Sequence, residues 1–515
     1  MSHGLMRASI PTSNLAQFLI QSARRFPEGA AVIRSEQVLT WGAMAARVGA
    51  AAAHLADRGV VAGDRVLVHS RNSPAMLETM WAAWMLGAVW VPTNFRLTPP
   101  EIAWLASSSG AVAHIFDSAF PEHAEAAREA NPAARVFLSL EEWEGLTTHP
   151  APLTKEAEVD ADAMCWFFYT SGTTGRPKAA VLTHGQLNFV VANHIADLMP
   201  GLSERDASLV VAPLSHGAGI HAVVQAARGT PSILLPGERL DVAEAWRLVE
   251  RHRVTNMFTV PTILTMLVNH PSVDMQDHSS LRHVIYAGAP MYRADQVRAL
   301  RKLGPVLVQY FGLGEVTGAI TVLPGHLHSI ADDPDFPIGS CGLPRTGMEI
   351  AIFDGAGRQQ AAGQDGEICV RGPAVFGGYF GNREATEKAF AGGWFHTGDL
   401  GRLDARGFLF ITGRASDMYI SGGSNVYPRE VEEAILLHPA VAEACVLGMP
   451  DPKWGESGVA VLVLHEGAAL DDLGAHLEGR LARYKHPARV VIWPELPKSG
   501  TGKVTKREVR RLLDE

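Results

Sequence analysis

Segments with helical and strand character alternate along the chain up to about residue 340, and this alternation limits the fold more than any other feature. The stretch TWGAMAARVGAAAAHLADRGV is alanine-rich and helical in character, and DRVLVHS follows it as a short strand. The helical pattern VAEAWRLVERHRV is likewise followed by TNMFTVP. Strands separated by helices of this length are typical of parallel α/β layers. We therefore expect an α/β fold class with a large N-terminal domain.

The pattern changes near residue 340 and again near residue 414. From about 340 to 412, turns such as DGAGR and DARG separate short strands such as EIAIF and GEICV, which predicts a β-rich subdomain, a distorted barrel. After GRASD, Pro428 suits the first turn of a helix, and the rest reads as a compact α+β segment. We predict an N-terminal domain over 1–413, a hinge over 414–417 and a small C-terminal domain over 418–515.

Composition excludes several classes of protein. The net charge of -9 lacks the clustered basic excess of a nucleic-acid binder. The longest apolar run, from Thr79 to Pro92, is shorter than the ~18 residues that suggest a membrane span. The start of the chain has no apolar signal core, and the four cysteines have no CxxC spacing. We expect a reduced, cytoplasmic protein with no stable membrane insertion and no nucleic-acid partner, and the sequence leaves a homodimer open.

The segment from Thr170 to Lys178 has the composition of a phosphate-binding loop. It follows the buried strand pattern CWFFYT, and Gly172 and Gly175 let backbone N–H groups turn toward one point. Hydroxyl donors are supplied by Ser171, Thr173 and Thr174. Such a nest suits a polyphosphate, although an ordinary polar turn has a similar composition. The Walker pattern GxxxxGK[ST] is absent, which argues against a P-loop kinase.

The full string YTSGTTGRPKAAVLTH resembles the signature loop of the adenylate-forming (ANL) superfamily, which includes acyl-CoA synthetases, peptide-synthetase adenylation domains and luciferases. The resemblance continues in the expected order through PLSHGAG, YAGAP, QYFGLGE, GWFHTGDLG, GRASD and PKSGTGKVTKRE. It implies an acyl-CoA synthetase with ATP, Mg²⁺ and coenzyme A as cofactors. A carboxylate attacks the α-phosphate of ATP, pyrophosphate leaves, and a thiol then displaces AMP.

The resemblance also implies roles for single residues. Thr170 belongs to the catalytic set, and Glu315 would bind Mg²⁺, since carboxylate oxygen suits that cation. Lys503 matches the mobile lysine that reaches the carboxylate and the α-phosphate, and Asp399 and Arg414 match the groups that bind ribose. The nucleotide phosphates are assigned to Ser171, Gly172, Thr173, Thr174, Gly175 and Lys178. On spacing alone, a surface glutamate or a solvated terminal lysine would be the simpler interpretation.

Two further sites follow from the same resemblance. The adenine is expected between walls formed by Gly288, Ala289, Pro290, Gln309, Tyr310, Phe311 and Gly312. In this family the C-terminal domain acts as a mobile lid that rotates between the two half-reactions. The loop YISGGSNVYP then faces the site, and Gly422 and Gly423 leave room for the pantetheine arm of coenzyme A. A tight turn or a packed aromatic would explain the same residues without a ligand.

The acyl pocket is expected at His216, Gly217, Tyr310 and Gly312. Acetate-type members have a bulky tryptophan where Gly312 stands, and malonate-type members have an arginine where Tyr310 stands. Both substrates are therefore disfavoured, and we expect a small-molecule partner that is a medium-size fatty acid or an aryl or aryl-alkyl acid.

The sequence departs from the family pattern at Gly314, which is usually threonine, and at Ser416, which is usually Asp or Lys. These departures leave open a catalytically weakened acyl or nucleotide sensor. An enzyme that loads a carrier-protein thiol is a second alternative.

Overall fold

The computed structural model describes residues 11–170, 176–237, 239–289, 291–333, 335–414, 417–421, 424–452, 454–498 and 504–515. Among these residues the strands form two large sheets, a four-stranded sheet and a five-stranded sheet, with a small two-stranded pairing of Pro11–Thr12 with Val159–Asp160. The prediction of an α/β fold class with a β-rich subdomain and a small α+β C-terminal part is confirmed. The boundaries 1–413, 414–417 and 418–515 stay a prediction.

The first large sheet has six strands, and all neighbouring pairs but one are parallel. In spatial order they are Lys178–Thr183, Met164–Thr170, Val89–Thr93, Arg65–His69, Ala113–Phe116 and Val136–Ser139. The connecting helices are Trp41–Asp57, Pro74–Met85, Pro99–Ser109, Pro121–Ala130 and Leu140–Glu144. The Thr40 and Ser73 side chains cap two of them by accepting bonds from backbone N–H groups.

The second large sheet has nine strands. In spatial order they are Leu343–Pro344, Thr321–Leu323, Leu307–Phe311, His283–Tyr286, Asn256–Thr259, Ser208–Val210, Ser232–Leu234, Ala30–Arg34 and Gln37–Thr40. Its neighbouring helices are Ala16–Arg25, Gly217–Arg228, Val242–Arg251, Pro261–Asn269 and Arg293–Leu303. The helix His184–Asp197 begins at a capping box formed by Thr183 and Gln186.

The four-stranded sheet is antiparallel and consists of Glu349–Phe353, Gly366–Arg371, Phe395–Leu403 and Leu409–Arg414, with the helix Arg383–Ala389 beside it. The five-stranded sheet consists of Tyr419–Ser421, Ser424–Val426, Val441–Asp451, Gly455–Leu464 and Arg489–Ile492. Its helices are Pro428–Leu436, Leu473–Leu477 and Lys506–Asp514.

The apolar run from Thr79 to Pro92 covers the second half of the buried helix Pro74–Met85 and most of the strand Val89–Thr93. Trp81, Trp84 and Trp90 are fully buried, and the Trp84 indole N–H donates to the Cys165 carbonyl at 2.7 Å. Among the described residues, no helix has the length and apolar character that crossing a membrane requires. The four cysteines are free and buried.

Candidate active site

Glu315 is the centre of the site that the sequence places around the nucleotide. The residue is 5% exposed, and its Oε1 accepts hydrogen bonds from the Thr170 hydroxyl at 2.9 Å and the Tyr379 hydroxyl at 3.0 Å. Thr170 ends the strand Met164–Thr170, and Glu315 lies in a short 3₁₀ turn after the strand Leu307–Phe311. The structure therefore brings two of the predicted catalytic residues into direct contact from different sheets.

Tyr379 is a site residue that the sequence did not indicate. It reaches Glu315 because the chain around it runs beside the strand Lys178–Thr183: Val181 N donates to the Gly378 carbonyl, and Phe380 N donates to the Ala179 carbonyl. Burial and the nearby charge of Glu315 raise the pKa of the Tyr379 phenol, which keeps it protonated as a donor. This geometry fixes one carboxylate oxygen of Glu315.

Lys178 lies at the start of the strand that pairs with Thr170. The two residues are register partners in an antiparallel pair, so they bracket the predicted phosphate loop. The Lys178 Nζ lies 4.5 Å from the centroid of the Tyr379 ring, which places its charge beside the Glu315 cluster. Arg176 lies over the Trp104 ring, also at 4.5 Å. The two cationic side chains that follow the predicted loop therefore both lie against aromatic rings.

The packing around position 314 explains why this chain has a glycine there. A β-carbon there would lie 2.5 Å from Phe168 Cδ1 and 3.0 Å from Thr170 Cγ2, so a threonine would force Phe168 to shift. Thr317 does not replace the missing hydroxyl in this arrangement, because its Oγ1 donates to the Val316 carbonyl at 2.7 Å. The departure from the family pattern follows from the bulk of Phe168.

The two residues assigned to ribose are paired. Asp399 and Arg414 are register partners on neighbouring antiparallel strands, and Arg414 Nε lies 3.0 Å from Asp399 Oδ1. The carboxylate is buried, while the guanidinium is more than half exposed. The two side chains that the family resemblance assigns to ribose are therefore in direct contact.

The residues assigned to adenine lie at one edge of the nine-stranded sheet. Tyr286 and Gln309 are partners on adjacent parallel strands, so the segments that follow them meet at the carboxyl ends. The Tyr286 hydroxyl donates to Gln309 Oε1 at 3.0 Å. Gly288 is exposed and has a φ of +82°, which favours glycine. Ala289 and Phe311 are both partly exposed at this edge.

The residues assigned to the acyl group form an aromatic wall. His216 lies edge-on to Phe168, with ring centroids 5.5 Å apart. A β-carbon on Gly217 would lie 2.7 Å from the Phe258 ring and 3.5 Å from the Tyr310 hydroxyl. Gly312 packs against the 318 backbone, where a β-carbon would be 2.4 Å from a Cα atom. Phe258 and Phe168 were missed because nothing in the sequence separates them from ordinary core aromatics.

Several predicted site residues lie outside the described residues. They are Ser171, Gly172, Thr173, Thr174, Gly175, Pro290, Ser416, Gly422, Gly423 and Lys503. Their flanks are described: Lys498 and Val504 form an antiparallel bridge, and Ser421 pairs with Ser424. The roles of this set stay predictions.

Comparisons with known proteins identify the family. A family model described as AMP-binding enzyme matches residues 19–380, and one for the AMP-binding enzyme C-terminal domain matches residues 430–503. The chain is 37% identical over 504 residues to a feruloyl-CoA synthase of Amycolatopsis sp, covering 96% of this chain and 98% of the relative. It is 32% identical to the medium/long-chain-fatty-acid–CoA ligase FadD8 of Mycobacterium tuberculosis, covering 97% of this chain and 90% of that one.

Solved structures agree with this assignment. The o-succinylbenzoate CoA synthetase (MenE) of Bacillus subtilis in complex with the acyl-adenylate intermediate OSB-AMP has a TM-score of 0.85 and 31% identity, covering 97% of this chain and 98% of that chain. The matches run through both the large and the small part of the chain. The chain therefore belongs to the AMP-binding enzymes of the adenylate-forming superfamily, as the sequence motifs predict, and it is an ATP-dependent, AMP-forming ligase of the acyl-CoA and aryl-CoA type.

Proposed function

We propose that this ligase activates a medium-size aryl or aryl-alkyl carboxylic acid. The observation that carries the proposal is the flat wall beside Gly217: the rings of Phe258 and Tyr310 are within 13° of parallel, with centroids 5.9 Å apart. His221 stacks on Phe258 at 4.6 Å and 14°. Stacked, rigid rings suit a planar aromatic group better than a flexible alkyl chain, which gains less from a fixed plane. The likeness to a feruloyl-CoA synthase supports the same choice.

The first half-reaction joins two anions, so the site must supply positive charge and fixed donors. We assign Glu315 to Mg²⁺: a single buried carboxylate fits this cation, which keeps several waters and completes its shell with substrate phosphates. Thr170 and Tyr379 hold that carboxylate by Oε1. Lys178 and the predicted loop would bind the phosphates, and Lys503 would neutralise charge between the carboxylate and the α-phosphate.

The second half-reaction requires the small C-terminal part to present a different surface to the adenylate. We assign residues 414–417 as the hinge, and Gly422 and Gly423 as the passage for pantetheine. Asp417 N and Met418 N both lie near the Arg414 carbonyl, at 3.0 and 3.1 Å. Lys506 lies 3.7 Å from Asp417 and 3.2 Å from Glu432, which ties the hinge to the last helix. The homodimer and the cytoplasmic location stay predictions.

A substrate screen tests the proposal. The purified enzyme is incubated with ATP, Mg²⁺ and coenzyme A and with cinnamates, phenylpropanoates, benzoates or C6 to C12 fatty acids. Pyrophosphate release and acyl-CoA are measured together by coupled assay and mass spectrometry. The proposal expects the highest kcat/KM with an aryl or aryl-alkyl acid. A preference of more than about tenfold for a fatty acid would overturn the substrate class, and adenylate without thioester would favour loading of a carrier protein.

A further inference from the structure

Arg345 is buried without the partners that a buried guanidinium normally has. The residue is 1% exposed, and its Nε lies 3.8 Å from Asp197 Oδ2, too far for a hydrogen bond. Neither Nε nor Nη1 has a hydrogen-bond partner among the described residues. The Asp197 carboxylate is already used by Thr346, whose N and Oγ1 both donate to it at 2.8 Å. The guanidinium therefore keeps unpaired donors and an incompletely compensated charge.

The neighbouring His194 does not make up for the partners that Arg345 lacks. Its Nδ1 lies 3.0 Å from Arg345 Nη2 and also 2.9 Å from the Val190 carbonyl. One nitrogen cannot accept from the guanidinium while donating to a carbonyl, so one of these contacts is unmade. Burial, and after it the charge of Arg345, holds the pKa of His194 well below its usual range. The imidazole is neutral and adds no countercharge.

The same buried cluster reaches the acyl wall. His221 is four residues after Gly217 on the helix Gly217–Arg228, so the two lie on one face. Neither ring nitrogen of His221 has a hydrogen-bond partner among the described residues. Its ring stacks with Tyr310 at 6.2 Å and meets His194 edge-on at 5.0 Å. Unpaired polar groups thus continue from the substrate wall to Arg345.

We propose that Arg345, His221 and Tyr310 form a polar end to the acyl pocket that binds an oxygen acceptor on the substrate, at the end remote from the reacting carboxylate. This inference rests on the proposed function, because it takes the wall at Gly217 as the substrate wall. The chemistry shared by the candidate ligands is an oxygen that accepts N–H bonds, either a phenolic or methoxyl oxygen or a second carboxylate. Such an oxygen would satisfy donors that the protein alone leaves unpaired.

Arg345 supplies a positive charge beside the acyl wall, which Tyr310 cannot supply. Tyr310 replaces the arginine of malonate-type members, but Arg345 lies close enough to Tyr310 and His221 for its charge to affect the pKa of both groups. Burial is the main cause of the low pKa of His221, about 3, and the charge of Arg345 adds to it. His221 therefore presents a neutral ring with one donor nitrogen.

The test compares cinnamate with 4-hydroxycinnamate and 4-carboxycinnamate in the wild type, Arg345→Met, Arg345→Lys and His221→Phe. The readout is kcat/KM for pyrophosphate release, with thermal unfolding of each variant as a check on folding. We expect the wild type to prefer at least one oxygen-bearing acid. Arg345→Met should lower that preference relative to cinnamate by about 10²-fold, since a site built for a polar group loses it when the partner is removed. Arg345→Lys distinguishes the two kinds of ligand. Because the lysine ammonium is a point charge, this variant should keep more of a preference for 4-carboxycinnamate than of a preference for 4-hydroxycinnamate.

His114→Gln is the matched control, a buried histidine on the strand Ala113–Phe116 outside the acyl wall, and it should leave the preference ratio unchanged. Equal losses with all three acids in Arg345→Met and His221→Phe would overturn the inference. A wild-type enzyme that prefers cinnamate to both oxygen-bearing acids would also overturn the inference. That result does not depend on whether the variants fold. Failure of the proposed function looks different, because a fatty acid would then be preferred over the aryl acids by more than about tenfold.

Discussion

Phe168 occupies the space that a threonine at Gly314 would need, since a β-carbon on Gly314 would lie 2.5 Å from the Phe168 ring. The Phe168 ring also meets His216 edge-on at the acyl wall. The bulky aromatic at the wall and the glycine beside Glu315 are therefore one coupled feature. The same ring therefore contacts His216 and fills the space of a side chain at position 314.

Gly314→Thr is expected to destabilise the protein by about 1–3 kcal/mol, because it forces Phe168 to move in a packed interior. In the Phe168→Ala background the same change should cost less, since the space is open. The double-mutant cycle is measured by urea unfolding. Gly355→Thr is the control: a β-carbon there meets nothing within 4 Å, so we expect about 0.5 kcal/mol or less. Additive costs at 168 and 314 would contradict the packing argument.

Glu315→Gln is expected to lower the rate of pyrophosphate release by about 10²- to 10³-fold. The amide oxygen can still accept from Thr170 and Tyr379, so folding should be kept, while the charge that we assign to Mg²⁺ is lost. Activity is measured across a Mg²⁺ titration, with the exposed ion-pair residue Glu349→Gln as control. A variant with the wild-type rate and the wild-type Mg²⁺ dependence would show that Glu315 does not hold the cation.

His114 should make the protein less stable in acid. Burial lowers its pKa to about 4 from the ordinary 6.5, and its Nδ1 has no hydrogen-bond partner among the described residues. Between pH 6.5 and pH 4, His114 is protonated in the unfolded chain but neutral in the folded chain. The free energy of unfolding therefore falls as the pH drops from 6.5 toward 4, by about 3 kcal/mol in total. His114→Gln should remove that part of the pH dependence in urea unfolding. The exposed His326→Gln should not, and equal slopes in all three proteins would refute the assignment.

Lys503→Ala is expected to stop adenylate formation while sparing the second half-reaction. We assign the lysine to neutralising charge only while the carboxylate attacks the α-phosphate, so a supplied acyl adenylate should still react with coenzyme A. Pyrophosphate exchange measures the first half, and thioester formation from synthetic acyl adenylate measures the second. The surface variant Lys498→Ala is the control, since Lys498 pairs with Glu443. Equal loss of both halves would contradict a role limited to adenylation.

The sequence predicts the fold and the reaction class because both depend on local patterns and on ordered motifs. It places Thr170 and Glu315 in one site although they are 145 residues apart, since each lies in its own recognisable string. Tyr379 and Arg345 carry no such signal. Tyr379 reaches Glu315 only because its segment runs beside Val181, and Arg345 looks like any arginine after a short strand until its burial is known. The contact of Tyr379 and the burial of Arg345 both depend on the tertiary structure. No local pattern in a single sequence indicates them.

Transfer of a substrate oxygen to AMP tests the central claim most directly. An acid found by the screen is labelled with ¹⁸O at both carboxylate oxygens and turned over with ATP and coenzyme A. Attack on the α-phosphorus makes a P–O bond and expels pyrophosphate, and thiol attack on the carbonyl carbon then breaks the C–O bond. Mass spectrometry should find one ¹⁸O in AMP and one in the thioester. Unlabelled AMP, or label in orthophosphate with ADP as the product, would contradict an acyl-adenylate route.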